Sequence, residues 1–404
     1  MEVDCCIVGG GPAGMMLGCL LARAGVAVVV LEKHGDFLRD FRGDTIHPST
    51  LELMHELGQL ERFMQLPHQK AARLMAQIGD AEVTVADFSR LPVKCPYIAF
   101  MPQWDFLNFL AEYGKRFDGF QLLMNAEATE LLRAQDRVCG VKARTRDGEL
   151  CIQAGLVIGA DGRRSTVREQ AGLSPITLGA PMDVFWFSLP RKDTDPDQSM
   201  GRFDIGRIFI LINRGEHWQC GFVIAKGSAD QVRNSGIESF QNAVATLAPF
   251  ARDRVYTLRD WEQIKLLTVG VDRLTQWHAP GLLCIGDAAH TMSPVGGVGI
   301  NLAIQDAVAA ANILWRPLRD GKLAQADLQA VQARRMLPVR ITQRLQILMQ
   351  NRVIRAVLDS TQKLRPPLAL RMILGLPVIS RLPARLIGLG IRREHIQSPE
   401  IDHR

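Results

Sequence analysis

The sequence predicts an α/β fold in which a parallel sheet with helices is interleaved with an antiparallel sheet and followed by a helical C-terminal segment. Residues 3–31 form an apolar run, a glycine-rich turn, an apolar helical stretch and a second apolar run. This order is typical of parallel βαβ structure. Residues 182–269 instead alternate between apolar and polar side chains, which favours an antiparallel sheet with one covered face. Residues 321–404 lack both patterns and are predicted to be largely helical, with breaks at prolines.

A glycine-rich turn follows the first apolar run. Gly9, Gly11 and Gly14 have the spacing G-x-G-x-x-G, and Pro12 and Ala13 open the predicted helix. In such a turn the first glycine permits a tight bend, the second lets the backbone approach a pyrophosphate, and the third lets helix and strand pack closely. The phosphates would lie on the helix N-terminus, which favours anions. The turn therefore predicts a Rossmann-type dinucleotide-binding domain.

An acidic residue closes the second predicted strand, residues 26–31. Glu32 stands at its end and is followed by Lys33. An acid at this place binds ribose hydroxyls in dinucleotide sites. A glycine-rich turn in an unrelated α/β domain is the alternative, but here strand, helix, second strand and acid occur in order. We therefore assign Glu32 and Lys33 to the predicted cofactor site.

Another buried strand, later in the chain, runs into a polar turn at residues 156–168. The apolar residues 156–160 end at Asp161, and a helix is expected to begin near Ser165. An acid between a strand end and a helix start can bind a cofactor, or it can simply cap the helix. Both interpretations are open from the sequence.

A similar arrangement of a strand followed by a turn occupies residues 281–301. The predicted strand 281–285 leads into Gly286 and Asp287, and the loop 296–301 precedes a helix from Asn301 to about Leu314. Several glycines before a helix N-terminus let backbone N–H groups converge on one point. The loop therefore predicts another anion-binding site.

The remaining patterns divide the chain into regions. We predict a dinucleotide-binding domain formed by residues 1–68, 100–180 and 270–320. Residues 69–99 and 181–269 would form a substrate domain with the antiparallel sheet, and residues 321–404 a C-terminal helical segment. Further helices are predicted from Ser49 or Thr50, from Trp104 to Lys115 and from Gln241 to Phe250. Antiparallel strands are predicted at 120–124, 127–133, 137–145 and 150–158.

Positive charge is concentrated near the C-terminus. The net charge is +6, and residues 334–394 contain thirteen basic residues against two acids, Asp359 and Glu394. No aromatic residue lies in this stretch, so stacking on nucleic-acid bases is not expected. A solvated helical face is the default interpretation, and contact with an anionic membrane surface or an acidic partner is the alternative.

Composition favours a reduced, soluble protein. The eight cysteines are scattered without a C-x-x-C pair, as expected for reduced thiols in the cytoplasm, and no metal site is predicted. The first predicted strand begins at Val3, which leaves no room for a signal peptide. No uncharged apolar run has the length of a membrane span. We expect a cytoplasmic monomer or homodimer.

With these motifs identified, the chain resembles the single-component FAD-dependent aromatic hydroxylases, the para-hydroxybenzoate hydroxylase-like flavoprotein monooxygenases. The resemblance covers about the first 315 residues. It rests on three motifs in order, which are Gly9-x-Gly11-x-x-Gly14 with Glu32, Asp161-Gly162-x-x-Ser165-x-x-Arg168, and Gly286-Asp287 followed by Pro294 and the loop 296–301.

The resemblance implies a role for each motif toward FAD. The first would bind the adenosine half, and Asp287 the ribityl chain or pyrophosphate. Arg42 and Gln103 match residues that the family places near FAD, and Asp161 lies near FAD and the approach of the nicotinamide. Pro294 would lie beside the isoalloxazine. The backbone of the following loop would face the N1–C2=O edge of the flavin, through Gly297, Val298, Gly299, Ile300 and Asn301.

The resemblance also implies the reaction. NAD(P)H would reduce FAD, O₂ would add to give a C4a-hydroperoxide, and the distal oxygen would pass to an aromatic, phenolic or polyketide-like small molecule. No second G-x-G-x-x-G motif is present, so NAD(P)H would bind transiently in a surface groove. Two alternatives remain open. A flavin-dependent halogenase is faintly suggested by Phe185-Trp186-Phe187-Ser188-Leu189-Pro190, which resembles that group's W-x-W-x-I-P signature but has Phe at both tryptophan positions. The other is a flavin-binding protein without turnover.

A histidine is the candidate catalytic base. His47 lies five residues after Arg42 in a loop before a helix, and histidine suits proton transfer near neutral pH. The alternative is that His47 only satisfies a loop carbonyl. His290 is a weaker candidate, because it follows Gly286-Asp287 and would brace that loop.

Overall fold

A computed structural model describes residues 1–38, 45–362 and 381–401. The chain combines a mostly parallel sheet, antiparallel sheets and a helical C-terminal region, which confirms the predicted fold class. The strands are β1 (Glu2–Val8), β2 (Val28–Glu32), β3 (Thr45–Ile46), β4 (Gln69–Ala71), β5 (Arg73–Ile78), β6 (Ala81–Asp87), β7 (Ile98–Phe100), β8 (Phe120–Met124), β9 (Glu127–Ala134), β10 (Arg137–Thr145), β11 (Gly148–Gly159), β12 (Pro175–Thr177), β13 (Met182–Pro190), β14 (Met200–Asp204), β15 (Arg207–Asn213), β16 (His217–Ala225), β17 (Lys265–Leu267), β18 (Asp272–Leu274), β19 (His278–Ala279), β20 (Leu282–Cys284) and β21 (His290–Thr291).

Helices surround these strands. They are α1 (Pro12–Arg23), α2 (Pro48–Glu56), α3 (Leu60–Phe63), α4 (Gln103–Gly114), α5 (Thr166–Gln170), α6 (Ala229–Asn234), α7 (Ile237–Leu247), α8 (Gly299–Arg319), α9 (Gln325–Met349), α10 (Arg355–Leu358) and α11 (Arg381–Gly388). A π-helical turn, Gln350–Ile354, joins α9 to α10. Pro317 and Pro338 lie inside α8 and α9, and Pro383 lies in the first turn of α11.

The eight-stranded sheet places the three predicted motifs at one edge. Its order is β19-β20-β11-β1-β2-β8, with β10 paired to β11 and β9 to β10. β1, β2, β11 and β20 are parallel neighbours, so their carboxyl ends, which carry the motifs, lie together. One strand differs from expectation: β8 pairs parallel to β2, not antiparallel. The helices between β2 and β8 make the connection a crossover, which gives parallel pairing.

The seven-stranded sheet is covered on both faces. Its order is β17-β13-β16-β15-β14-β5-β6, antiparallel except where β14 runs parallel to β5. Phe185, Phe187 and Trp218 belong to the core beneath α7, while Val184 and Ile208 pack with Ile354 and Val357 on the other face. The expectation of one covered face was wrong, because the C-terminal helices supply the second cover. The proposed domain boundaries remain a prediction.

Several helix ends differ from the predicted ones. α2 begins at Pro48 rather than at a Ser49 or Thr50 cap, since proline suits the first helical position. α7 ends at Leu247, because the residue before Pro249 is disfavoured in helical conformation. α8 begins at Gly299, two residues before the predicted Asn301.

The helix after the third motif lies in the core. Within the described part of the chain, one helix, Val295–Arg319, is long and apolar enough to cross a membrane, and 61% of its most apolar stretch is buried inside the protein. α8 packs against α1 and α9, as a core helix does. All eight cysteines are free thiols, and the described residues hold no group of three His, Cys, Asp or Glu side chains placed for a metal ion.

Candidate active site

The first glycine turn is built by close backbone approach. A Cβ on Gly14 would lie 2.0 Å from the Gly9 carbonyl oxygen, and one on Gly9, whose φ is +110°, would lie 2.3 Å from the Ala160 oxygen. Neither position accepts a side chain without a backbone shift. A Cβ on Gly11 would meet nothing within 4 Å, so the space above it is open. The α1 N-terminus beneath this space has no side-chain cap.

Glu32 lies beside that turn. Its Oε2 accepts the Gly10 N–H (3.2 Å) and its Oε1 accepts the His34 N–H (3.1 Å). The carboxylate is therefore held at the tip of β2, next to the open space over Gly11. Lys33 is exposed at the same strand end.

Asp161 is used within its own loop. Ser165 Oγ donates to its Oδ1 (2.5 Å), and the Val167 N–H donates to its Oδ2 (3.1 Å). The helix begins next to Ser165 as predicted, and Ser165 caps it, because its Oγ accepts the Arg168 N–H. Burial raises the pKa of the Asp161 carboxyl, and these hydrogen bonds only partly oppose that shift. The geometry matches the capping alternative, and a role for Asp161 toward the cofactor remains a prediction.

The three motifs meet in space. Gly9 contacts Ala160, as above, and a Cβ on Gly286 would lie 3.2 Å from the Cβ atoms of both Ala13 and Ala303. Arg168 Nη1 donates to the Ala288 oxygen (3.1 Å), which ties the second motif to the third. The sequence order of the motifs thus becomes one continuous site at the carboxyl edge of the sheet.

Asp287 lies within reach of an arginine of the second motif. Its side chain is 36% exposed, and Arg163 Nε lies 3.3 Å from its Oδ2. Gly286, which precedes Asp287, is the buried residue of the pair, and the role of Asp287 toward FAD remains a prediction. Arg163 was not singled out from the sequence, although it lies in the second motif.

The loop from Pro294 to Ile300 is half-buried along its whole length, which leaves one side open. Asn301 anchors it. The Asn301 Oδ1 accepts the His47 N–H (2.9 Å) and the Thr50 hydroxyl (2.7 Å), and its Nδ2 donates to the Thr45 oxygen (3.1 Å). The Asn301 side chain therefore fastens the β3–α2 segment to the loop.

His47 is completely buried at the start of α2. Its Nδ1 lies 2.7 Å from the Ile387 carbonyl oxygen, so Nδ1 carries the proton and donates. Nε2 has no hydrogen-bond partner among the described residues. Burial lowers the pKa of His47 to about 4, although the bond to Ile387 opposes the shift. The carbonyl alternative is thus present in the structure, and catalysis by His47 remains a prediction.

A buried ion network supports the third motif and was missed from the sequence. Asp306 Oδ2 accepts from the Gly286 N–H (3.2 Å) and contacts His290 Nε2 (2.6 Å), while Arg335 Nε donates to Asp306 Oδ1 (2.9 Å). Arg335 also lies 3.2 Å from Glu394. His290 braces the loop as expected. The solvated-face interpretation was wrong for Arg335, which is fully buried. The signal was a lone acid within the apolar α8.

Gln103 and Arg42 are two further residues predicted to lie near FAD. Gln103 is half-buried at the first position of α4. Arg42 lies outside the described residues, so its assignment remains a prediction.

Known proteins with similar sequences identify the family. A family model for an FAD binding domain matches residues 2–344. The chain is 31% identical over 388 residues to 6-methylpretetramide 4-monooxygenase of Streptomyces rimosus, covering 95% of this chain and 90% of that protein. The chain belongs to the FAD-dependent aromatic monooxygenases. The domain that binds FAD in this family therefore contains all three motifs.

Two further similarities agree with membership of these monooxygenases. An aromatic compound monooxygenase of Bacillus subtilis (strain 168) is 27% identical over 333 residues, and the chain spans 61% of that protein's length. The crystal structure of p-nitrophenol 4-monooxygenase from Pseudomonas putida DLL-E4 superposes with a TM-score of 0.79 at 18% identity, covering 97% of this chain and 99% of that one. The latter likeness shows the shared fold.

The residues present fit FAD. The open space above Gly11 lies at an uncapped helix N-terminus, which suits a pyrophosphate, and Glu32 lies where a ribose is expected. The N-terminus of α8 is likewise without a side-chain cap and follows the half-open loop. Its positive end favours the anionic edge of a reduced flavin. The fit rests on these two helix ends, and the individual contacts remain predictions.

Proposed function

We propose that this monooxygenase uses NAD(P)H and O₂ to hydroxylate an aromatic, polyketide-like small molecule at the junction of its two large sheets. The observation that carries the proposal is the convergence of the three motifs beside the half-open loop. The 31% identity to a protein named 6-methylpretetramide 4-monooxygenase supports an aromatic, polyketide-like substrate. FAD, when bound, supplies oxygen activation, and the protein supplies orientation and a dry pocket.

The seven-stranded sheet is the proposed wall of the substrate pocket. Val295, next to Pro294, packs with the apolar cluster of Val184 and Ile208 on one face of that sheet. Trp186 and Ile210 are half-buried members of the same cluster. Flat apolar side chains of this kind suit an aromatic ligand. A half-buried ring wall opposite the flavin loop would exclude water from the reacting carbon.

The halogenase alternative gains no support from its faint motif. The two phenylalanines that stand at its tryptophan positions, Phe185 and Phe187, point into the core beneath α7. That face of the sheet is opposite to the one that packs on Val295. Their rings therefore belong to the fold and not to the proposed pocket.

A ligand panel tests the proposal. We expect one or more mono- or polycyclic phenols to accelerate NAD(P)H oxidation by the purified protein and to be converted into a product one oxygen heavier. Absorbance at 340 nm and mass spectrometry of the ligand measure the two together. Chlorinated product in the presence of chloride, or oxidation of NAD(P)H that no ligand in the panel alters, would count against hydroxylation.

Replacing Asp287 is expected to weaken FAD binding. The purified protein should release FAD, and not FMN, because the first motif and Glu32 are suited to an adenosine ribose. Asp287→Ala should bind FAD about tenfold to a hundredfold more weakly, since hydrogen bonds to charged groups contribute roughly 1.5–3 kcal/mol. Cofactor mass spectrometry and the ratio of flavin to protein absorbance provide the measurement.

The matched control is Asp136→Ala, which removes an exposed carboxylate from a hairpin remote from the motifs. It should leave flavin content unchanged. Full flavin retention in Asp287→Ala would mean that Asp287 has no part in holding FAD.

A further inference from the structure

A surface of α9 and of the π-helical turn that follows it carries exposed large apolar side chains. Leu337 is 56% exposed and Leu348 is 54% exposed, and three more large apolar residues on the same segment are exposed, namely Leu345, Met349 and Val353. The opposite side of α9 is already buried through Leu328, Val331 and Val339. The exposed side chains therefore form a second apolar stripe on a helix whose core contacts are complete.

Arginines lie within and beside this stripe. Arg340, Arg344, Arg352 and Arg355 are all exposed, and the sequence from Leu328 to Leu358 contains no Asp or Glu. Among the described residues, the acid paired to them is Asp359, at 3.7 Å from Arg355, and both side chains of this pair are exposed. We call these four arginines, with Leu337, Leu345, Leu348, Met349 and Val353, the arginine–leucine face.

The spacing places both kinds of side chain on one side of the helix. Leu337, Arg344 and Leu348 follow intervals of seven and four, which bring residues to the same helical face. Leu345 and Arg340 lie on either side of that line. A helix face that combines exposed apolar side chains with arginines can bind a membrane surface, with the apolar residues among the acyl chains and the long arginine side chains reaching the headgroups.

We propose that the arginine–leucine face binds the surface of an anionic phospholipid membrane. Charge complementarity selects this occupant. A second copy packed on the same face would bring the four arginines of each chain against each other without an acid to neutralise them, because a twofold interface repeats one patch. Anionic lipid supplies negative charge, and its acyl region accepts the leucines. The face is a peripheral contact and leaves α8 in the core.

Vesicle flotation tests the inference. The full chain with its flavin should float with vesicles of phosphatidylglycerol and phosphatidylcholine at low salt, and much less with phosphatidylcholine alone. Binding should fall steeply as salt rises. Because each arginine near an anionic surface adds about 1 kcal/mol, the triple variant Arg340→Gln, Arg344→Gln, Arg352→Gln should bind on the order of a hundredfold more weakly.

Two further variants separate the apolar part from nonspecific attraction. Leu345→Gln with Leu348→Gln should weaken binding and remove the part that survives high salt. The control, Arg144→Gln with Tyr256→Gln, changes an exposed arginine and an exposed apolar residue elsewhere and should bind like the unaltered chain. Circular dichroism and flavin content confirm folding of each variant.

Three results would overturn the proposal. They are absence of flotation with phosphatidylglycerol vesicles at low salt, equal flotation of the arginine and control variants, and a concentration-dependent dimer that the leucine variant abolishes. The last would show that a second copy covers the face. None of these outcomes bears on hydroxylation, which is measured separately.

Discussion

Asp306→Asn is expected to lower the free energy of unfolding by about 3–5 kcal/mol, because it removes one partner of a fully buried ion network. Arg335 and Asp306 are both inaccessible to solvent and lie 2.9 Å apart. Asparagine offers one side-chain oxygen in place of two, so Arg335 and the Gly286 N–H can no longer both be satisfied there. Arg335 then keeps Glu394 and the Arg392 carbonyl oxygen. Urea unfolding measures the loss, and flavin content should fall with it, since Gly286 precedes the cofactor loop.

The matched control for this change is Asp320→Asn, just beyond the other end of α8. Asp320 forms an exposed pair with Arg319 at 3.5 Å. Exposed pairs contribute about 1 kcal/mol or less. Similar unfolding curves for the two variants would show that the buried network does not hold the tail to the third motif.

The same network has a pH signature. Burial alone would raise the pKa of Asp306, but His290 and Arg335 outweigh it, and the pKa is lowered from 3.8. A carboxyl whose pKa is lowered on folding stabilises the folded protein at any pH above its pKa in the unfolded chain. That stabilisation is lost as the pH falls through its pKa in the folded protein. The Asp306→Asn variant should therefore lose less stability on acidification below about pH 4 than the unaltered protein does.

His47→Ala is expected to keep FAD and NAD(P)H oxidation but to reduce coupled hydroxylation about a hundredfold, with hydrogen peroxide released instead. The expectation follows from the size of general-base effects. With its Nδ1 proton directed to Ile387, neutral His47 has Nε2 free to accept a proton. The ratio of product to NAD(P)H consumed provides the measurement.

A second variant separates proton transfer from bracing of α11. His47→Asn keeps an N–H that can donate to the Ile387 carbonyl but removes the imidazole base. If His47 is the base, this variant hydroxylates as poorly as His47→Ala. Recovery of coupling in His47→Asn, or unchanged coupling in His47→Ala, would assign His47 to the structure of the loop alone.

The pKa of His47 gives an independent check. Its folded value is about 4, below the ordinary 6.5, so the unfolded chain binds the extra proton first. Stability due to this group is present above pH 6.5 and is lost as pH falls toward 4. Both His47 variants should remove that part of the slope, whatever its catalytic role.

Local sequence patterns were sufficient to predict the first motif, but they did not predict contacts between residues that are far apart in the chain. The βαβ unit was predictable because the strand, the glycine turn and the helix lie within 32 residues. The direction of β8 was not, since its partner β2 lies far back in the chain. Arg335 looked like one more surface arginine, because its partners Asp306 and Glu394 lie 29 and 59 residues away.

The sequence left the side-chain contacts of the motif loops undecided. Asp161 and Asn301 were singled out as cofactor residues from their positions in motifs. In the structure the side chains of both form hydrogen bonds within the protein. Asp161 accepts from Ser165 and Val167 at the start of α5, and Asn301 bonds to Thr45, His47 and Thr50. Motif spacing predicted where each loop lies, but the partners of the Asn301 side chain lie about 250 residues away and could not be predicted from it.

Oxygen labelling tests the central claim most directly. A phenol that accelerates NAD(P)H oxidation is incubated with the flavin-loaded protein under ¹⁸O₂ in ordinary water, and the product is examined by mass spectrometry. The account predicts one ¹⁸O atom per product molecule and one NAD(P)H consumed for each. A product that takes its oxygen from water, or a ligand recovered unchanged while all of the oxygen becomes hydrogen peroxide, would contradict it.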